Sequence, residues 1–184
     1  MAINFYKGDL PSDIDLGKVV AIDSETMGLR PQRDRLCLVQ LSSGDGNAHL
    51  IQFEQEEYEA PNLVQLLGDP TVTKIFHYAR FDVAIIKKYL QTQTKSIYCT
   101  KIASKLVRTY TDRHGLKDLC RELLNIDLSK QQQSSDWGAE DLTEEQKLYA
   151  ASDVLYLHKI KDILDSRLIR EGRYKMADDC FRFL

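Results

Sequence analysis

The stretch Lys18–Thr26, which reads K-V-V-A-I-D-S-E-T, determines our prediction of the fold. Its run of four apolar residues is typical of a short buried strand, and two acids follow it one residue apart. Side chains alternate between the two faces of a strand, so Asp23 and Glu25 project from the same side of the extended chain. The sequence therefore predicts a strand that ends in a pair of carboxylates.

Two further strands are predicted directly after this one. Arg35–Leu41 and Ala48–Phe53 are rich in β-forming residues, and Gly44 and Gly46 supply the turn between them. The remaining chain alternates extended and helical patterns, with strands at 72–76 and 96–99 and helices near 61–68, 80–90, 100–109 and 115–124. A polar loop covers 127–142. The last helix starts at the capping box of Thr143 and Gln146 and runs to Gly172. We therefore expect an α/β fold with a mixed central sheet, in which three antiparallel strands are flanked by helices.

Length and composition indicate one globular domain. The chain has 184 residues, of which 43% are hydrophobic, and this is enough for a single domain with a sizeable core. No apolar run approaches the roughly 20 residues of a membrane span, and the N-terminus lacks the layout of a signal peptide. We expect residues 1–184 to form one domain that works in the cytoplasm without a membrane.

Charge and cysteine content exclude several classes of protein. The net charge of −3 argues against a broad basic face that follows long nucleic acid, so a nucleic-acid substrate should be short or held mainly through metal. The four cysteines stand far apart without a C-x-x-C pattern, which predicts reduced core thiols instead of a zinc site or a disulfide framework: Cys37, Cys99, Cys120 and Cys180.

Two more acids lie on the inward faces of predicted helices. Asp82 precedes Ile85, Ile86 and Tyr89 by three, four and seven residues, which places it on the apolar stripe of its helix. The last long helix has a similar stripe that carries Asp153, and it also contains Tyr149, Tyr156, Ile160, Ile163 and Leu164. Neither stripe holds a Lys or Arg near its acid, and burying an ionised carboxylate without a partner is costly. A bound cation is the simplest compensation.

Four acids without basic partners suit hard divalent cations such as Mg²⁺ or Mn²⁺. Two such ions can activate a water and stabilise the leaving oxygen of an in-line displacement, which makes hydrolysis of a phosphodiester the matching reaction. Tyr149 lies one helical turn before Asp153, where its hydroxyl can orient the attacking water. Each acid alone has an ordinary structural explanation, but their spacing and their inward faces together favour a metal site.

Three motifs carry a resemblance to a known family. D-S-E-T-M-G-L (23–29), H-Y-A-R-F-D (77–82) and Y-A-A-S-D (149–153) resemble the exonuclease motifs of the DEDD superfamily, whose tyrosine branch has Y-x-x-x-D and includes ribonuclease D. Longer strings, such as R-D-R-L-C-L-V-Q (33–40) and S-K-Q-Q-Q-S-S-D-W (129–137), are similar to the nano-RNase C family over nearly the whole chain. The resemblance implies an RNase H-like fold and a two-metal 3'-5' exoribonuclease acting on very short RNA, especially dinucleotides. It also implies a ring-shaped homo-octamer and a short tail after Leu184.

Several residues are candidate substrate contacts, each with a structural alternative. Leu29 either wedges against a base, as the resemblance implies, or packs in the core, and His77 either contacts a phosphate or packs beneath the sheet. Trp137 either stacks on a base or covers the core, and the latter is favoured. The remaining candidates for contacts with base or phosphate are Met27, Gly28, Phe81, Arg113, His114 and the segment Lys130–Gln133. The candidates for a cap on the 5' phosphate, acting within one chain or across a subunit interface, are Arg113, His114, Gln132 and Trp137.

Other functions remain open at this point. A general ribonuclease D-like trimming enzyme or a DNA exonuclease would use the same motifs, which do not distinguish ribose from deoxyribose. An inactive RNA-binding scaffold would tolerate the loss of an acid, but all four acids and Tyr149 are present. A Rossmann-type nucleotide-binding protein is excluded because acids, and no G-x-G-x-x-G, follow the first predicted strand.

Overall fold

A computed structural model describes residues 2–129 and 131–184 of the chain. Six strands form one mixed sheet: β1 (Ile3–Lys7), β2 (Val19–Thr26), β3 (Leu36–Ser42), β4 (Ala48–Gln52), β5 (Thr73–Phe76) and β6 (Ile97–Cys99). The strand order is β1-β4-β3-β2-β5-β6, with β2, β3 and β4 antiparallel and the outer pairs parallel. The predicted set of three antiparallel strands is confirmed.

Within the described ranges, seven helices surround the sheet. They are α1 (Pro61–Gly68), α2 (Ala79–Tyr89), α3 (Thr100–Val107), α4 (Leu116–Leu119, continued by a π-helical turn over Cys120–Leu124), α5 (Glu144–Leu155), α6 (Leu157–Arg170) and α7 (Tyr174–Arg182). The predicted capping box starts α5, since Thr143 Oγ1 accepts from the Gln146 backbone N–H at 3.2 Å and the Gln146 side chain accepts from the Thr143 N–H at 2.9 Å. In the described part of the chain no helix is long and apolar enough to span a bilayer.

Three expectations about the elements were wrong or incomplete. The acids lie inside β2, which extends to Thr26, and do not follow its end. The sequence interpretation did not identify β1, whose five residues pair only with β4 at the sheet edge. The predicted helix from Thr143 to Gly172 is two helices, because the chain breaks at Tyr156 (φ −106°, ψ −7°) and the second helix ends at Arg170.

Helix α5 crosses one face of the sheet and contacts β2, β3 and β4. Small residues at its centre, Ala150 and Ala151, are fully buried and allow the helix backbone to approach the strands closely. On this side Leu38, Leu50 and Trp137 form a small apolar cluster with Ala150. This packing fixes the height of α5 above β2, and so it fixes where the side chains of Tyr149 and Asp153 lie. All four cysteines are free thiols, of which Cys37, Cys99 and Cys120 are buried as predicted, whereas Cys180 is only partly buried.

Candidate active site

Three carboxylates converge where α5 passes over β2. One oxygen each from Asp23, Glu25 and Asp153 lies within 4.8 Å of the other two. The two-residue period of β2 presents Asp23 and Glu25 on the face that α5 covers, and α5 supplies Asp153 from above. Strand and helix therefore build one oxygen-rich cluster from residues that are far apart in the sequence.

Asp82 lies near this cluster, close enough for the charge of Asp23 to raise its pKa, but outside the group of three. It is 3% exposed in the first turn of α2, and its carboxylate accepts a hydrogen bond of 2.6 Å from Ser24 Oγ. Ser24 lies between Asp23 and Glu25 and alternates toward α2, so it links the two halves of the site. The sequence analysis did not select Ser24, although strand alternation next to the acids is a signal that would have identified it.

The pKa values of the four acids show how these groups affect one another. Burial raises the pKa of Asp23 to about 7. Burial also raises the pKa of Glu25 well above its usual range, and the charges of Asp23, Asp153 and Asp82 add to this effect. The pKa values of Asp82 and Asp153 are raised for the same two reasons, with Asp23 as the nearby charge. Such a group of carboxylates is stable in its ionised form only with positive charge beside it.

The donor set fits divalent cations. Among the described residues no Lys or Arg forms a salt bridge with any of the four acids, so no direct ion pair compensates their charge. Clustered carboxylate oxygens without nitrogen or sulfur ligands are typical of Mg²⁺ and Mn²⁺ sites. Asp23, Glu25 and Asp153 are the residues that would hold such an ion.

Tyr149 borders the cluster from α5. Burial raises the pKa of its hydroxyl, and the nearby charges of Asp153, Glu25 and Asp23 raise it further. The hydroxyl therefore stays protonated at neutral pH and can donate a hydrogen bond. Its ring packs beside that of Trp137, with 6.0 Å between the ring centroids. Trp137 is only 3% exposed, which confirms the expected core packing, although it also lines the site.

The acids open into a cavity of about 660 Å³. Most predicted substrate contacts line it, namely Met27, Gly28, Leu29, His77, Phe81 and Trp137. Lys101 and Lys117 also line it and bring positive charge that the sequence analysis did not select. Their signal was weak because single lysines on helices are usually solvated side chains.

Three predicted contacts lie away from this cavity in the single chain. Arg113 is exposed, and its carbonyl accepts a hydrogen bond of 2.6 Å from Arg108 Nη1. His114 is buried, with Nδ1 2.8 Å from Ser104 Oγ. The carbonyl of Gln132 accepts from Ser135, and the neighbouring Gln133 lines the cavity instead. Lys130 lies outside the described residues.

Leu29 lies at the tip of the loop that joins β2 to β3 and is 84% exposed, so the alternative of a core leucine is wrong. The loop is held from below: Asp34 Oδ2 accepts from the Arg30 N–H at 2.9 Å, and Thr26 Oγ1 donates to the Gly28 carbonyl at 2.5 Å. A Cβ on Gly28 would clash with the Asp34 carboxylate, so a larger residue there would displace that side chain or the loop. The loop thus holds an apolar side chain in solvent at the mouth of the cavity.

Comparison with known proteins identifies the class to which this site belongs. A family model described as 3'-5' exonuclease matches residues 9–169. The ribonuclease D of Gluconacetobacter diazotrophicus is 34% identical over 154 residues, which are 84% of this chain and 39% of that protein. The chain thus spans about two fifths of the length of the ribonuclease D relatives that it matches. It belongs to the 3'-5' exonuclease family.

Solved structures place the chain more narrowly. Brucella melitensis NrnC with bound Mg²⁺ is 55% identical with a TM-score of 0.95, and the match covers 100% of this chain and 90% of that one. The same protein bound to pGG is 56% identical with a TM-score of 0.96, covering 100% and 89%. Within the exonuclease family the chain is therefore a member of the NrnC group. The predicted DEDD exonuclease fold and the predicted class, a 3'-5' exoribonuclease domain, are confirmed.

Proposed function

We propose that this chain is a two-metal-ion 3'-5' exoribonuclease that hydrolyses short RNA, above all dinucleotides, to nucleoside 5'-monophosphates. The observation that carries the proposal is the cluster of Asp23, Glu25 and Asp153, whose ligand atoms lie within 4.8 Å of one another without a basic partner among the described residues. The Mg²⁺ named for the Brucella structure supports the choice of a divalent cation, with Mn²⁺ as the other candidate.

Within the chain, the acids would bind the cations and a tyrosine would orient the attacking water. Bound divalent cations would supply Lewis acidity, lowering the pKa of the attacking water and stabilising the leaving oxygen. Asp23, Glu25 and Asp153 would hold them, with Asp82 completing the set through its contact with Ser24. Tyr149, protonated at neutral pH, would donate a hydrogen bond that keeps the water in line with the scissile bond.

The lining of the site and the charge of the chain support the proposal of short substrates. The cavity is bounded at its mouth by the exposed Leu29, which would wedge against a base, while Met27, Gly28, Phe81 and Trp137 contribute to its lining. The chain is acidic overall, so successive phosphates of a long RNA add little affinity. The Brucella neighbour bound to pGG supports a dinucleotide as the preferred substrate.

A cap for the 5' phosphate is part of this proposal. Lys101 and Lys117 line the cavity within the chain. Arg113, His114 and Gln132 lie outside it, so they would reach a phosphate only across a subunit interface. We therefore propose that the cap forms only in a homo-oligomer, which by family resemblance is a ring-shaped octamer. This assembly would work in the cytoplasm.

The test uses 5'-labelled RNAs of two to seven nucleotides with Mg²⁺ or Mn²⁺, resolved on a gel over time. We expect products shortened one nucleotide at a time from the 3' end, complete loss of cleavage in excess EDTA, and loss of turnover in Asp153→Asn. Equal cleavage of matched DNA would favour a general 3'-5' exonuclease. Binding of RNA without cleavage under any metal would favour the inactive scaffold.

A further inference from the structure

His77 is placed next to the metal-binding acids by the register of the sheet. Strand β5 runs parallel to β2, with Ala21 opposite Ile75. His77 directly follows the end of β5, and continuing the register by two residues brings it to the level of Asp23 in β2. The His77 side chain lines the cavity that contains the acids.

The hydrogen bonds of Thr100 fix which ring nitrogen of His77 carries a proton. Thr100 Oγ1 lies 3.1 Å from the carbonyl oxygen of Phe76, which can only accept, so the threonine hydroxyl donates its single proton there. The same Oγ1 lies 2.9 Å from His77 Nδ1, and toward this nitrogen it can only accept. Nδ1 therefore bears the hydrogen, and in a neutral ring Nε2 is a bare lone pair.

The surroundings keep the ring neutral. Burial lowers the pKa of His77 to about 3, and the positive charges of Lys101 and His114 lower it further. No donor among the described residues reaches Nε2, so this acceptor remains free for a ligand.

Because Nε2 of His77 is an acceptor on a residue that lines the cavity, its partner in the substrate must be a hydrogen-bond donor. Phosphate oxygens at neutral pH are acceptors, and two acceptors repel each other, so the interpretation of His77 as a phosphate contact does not fit. The hydroxyls of ribose are the donors that every RNA carries irrespective of base. We propose that His77 Nε2 accepts a hydrogen bond from a ribose hydroxyl of the bound RNA, with Thr100 as the positioning residue that holds the ring in the required tautomer. This rests on the proposed ribonuclease function.

The test compares kcat/KM for a 5'-phosphorylated diribonucleotide with three analogues, two lacking one 2'-hydroxyl each and one lacking the terminal 3'-hydroxyl. In the wild-type protein we expect one analogue to be cleaved about tenfold more slowly than the parent, the size of one lost hydrogen bond. The affected analogue identifies the hydroxyl. In His77→Leu the parent and that analogue should be cleaved equally, whereas His77→Gln, whose Oε1 can replace Nε2 as acceptor, should keep the difference.

Thr100 provides the same test without altering the imidazole. Thr100→Val removes the acceptor for Nδ1–H and should reduce discrimination between the parent and the analogue, while Thr100→Ser keeps the hydroxyl and should preserve it. A purely structural role for either residue would lower cleavage of all four substrates by one factor and leave their ratios unchanged, which would overturn the inference. Equal cleavage of all four by the wild type would overturn it as well.

The failure of the proposed dinucleotide preference is distinguishable from the failure of this inference. If the wild type cleaves long RNA but not the dinucleotide, the three hydroxyl substitutions are made in the two 3'-terminal nucleotides of the longer RNA. The ratios then test His77 in the same way.

Discussion

At the scale of single residues, the site is a set of buried carboxylates whose pKa values are higher than those of free carboxylates. Asp23 has its pKa raised to about 7 from the usual 3.8, and burial is the main cause. A pKa that is higher in the folded state than in the unfolded state means that folding takes up protons, so stability is present at low pH and is lost as pH rises through the folded pKa. The metal-free protein therefore loses stability as its buried carboxylates ionise toward neutral pH.

We predict that the melting temperature of the protein in EDTA falls as pH rises from about 5 to about 8, because Asp23, Glu25 and Asp153 become ionised in that range or above it. Saturating Mg²⁺ should abolish most of this fall. Asp23→Asn should flatten the curve in EDTA and raise the melting temperature at the upper end. Thermal melts across the pH series measure all three, and a curve that rises with pH in EDTA would contradict the assignment of the raised pKa values.

Tyr149→Phe removes one hydroxyl from the border of the acid cluster. Because its hydrogen bond to water acts mainly in the transition state, we expect kcat to fall by about 10²-fold while KM changes little. Tyr6→Phe is the matched control, since the Tyr6 hydroxyl contacts His49 Nδ1 at 3.2 Å, and β1 lies at the edge of the sheet. A kcat within a few-fold of wild type would make Tyr149 a packing residue.

At the scale of elements, the loop between β2 and β3 controls the mouth of the cavity. Gly28→Ala brings a methyl group against the Asp34 carboxylate, which accepts from the Arg30 N–H, so this side chain or the loop that carries Leu29 must shift. We expect kcat/KM for a dinucleotide to fall by about tenfold or more, as in Leu29→Ala, because a small displacement at a substrate contact is costly. Gly68→Ala is the control, since its Cβ would meet only Thr92 Oγ1 at 3.9 Å. Full activity of Gly28→Ala would mean that Leu29 does not act as a wedge.

The elements also show which strands and helices the sequence alone predicts. Strong local signals predicted β2, β3, β4 and the start of α5, since apolar runs and the Thr143 capping box are encoded within a few residues. Strand β1 escaped prediction because it is only five residues long, and its pairing with β4 defines it. The break at Tyr156 has no Gly or Pro to announce it and becomes visible only in the packed structure.

The residues of the site likewise divide into those that local sequence patterns predict and those that only the folded structure reveals. The acids and Tyr149 were selected from strand and helix periodicity, and the structure brings three of the acids together directly. Ser24, Lys101 and Lys117 reach the site through tertiary contacts that periodicity does not specify. Arg113, His114 and Gln132 stay outside the cavity, so their proposed role depends on assembly.

At the scale of the whole molecule, α7 presents an apolar surface to solvent. Met176 is 54% exposed and Phe183, the residue after α7, is 90% exposed, and both line an apolar groove that begins at Tyr78 and Lys101 on the rim of the active-site cavity. Exposed apolar groups of this size are typical of an interface. We expect the double variant Met176→Asp and Phe183→Asp to dissociate the proposed octamer and to lower dinucleotide cleavage with it.

Light scattering after size exclusion measures the mass of that variant, and Glu140→Lys is the control for an altered charge elsewhere on the exposed surface. An unchanged mass of the double variant would show that α7 does not contribute to the interface. A monomeric variant with full activity would instead show that the site is complete in one chain and needs no cap from a neighbour.

The central claim is that a metal-binding acid cluster in a small, bounded cavity selects the shortest RNA. It is tested most directly by kcat/KM on 5'-phosphorylated RNAs of two, three and seven nucleotides at one stated salt concentration, with Mg²⁺. The account predicts the highest value for the dinucleotide and a fall of about tenfold or more by the seven-mer, because a cap that fits the 5' end at a fixed distance from the metal excludes longer chains. An equal or higher value for the seven-mer would contradict it and indicate an open groove of the ribonuclease D kind.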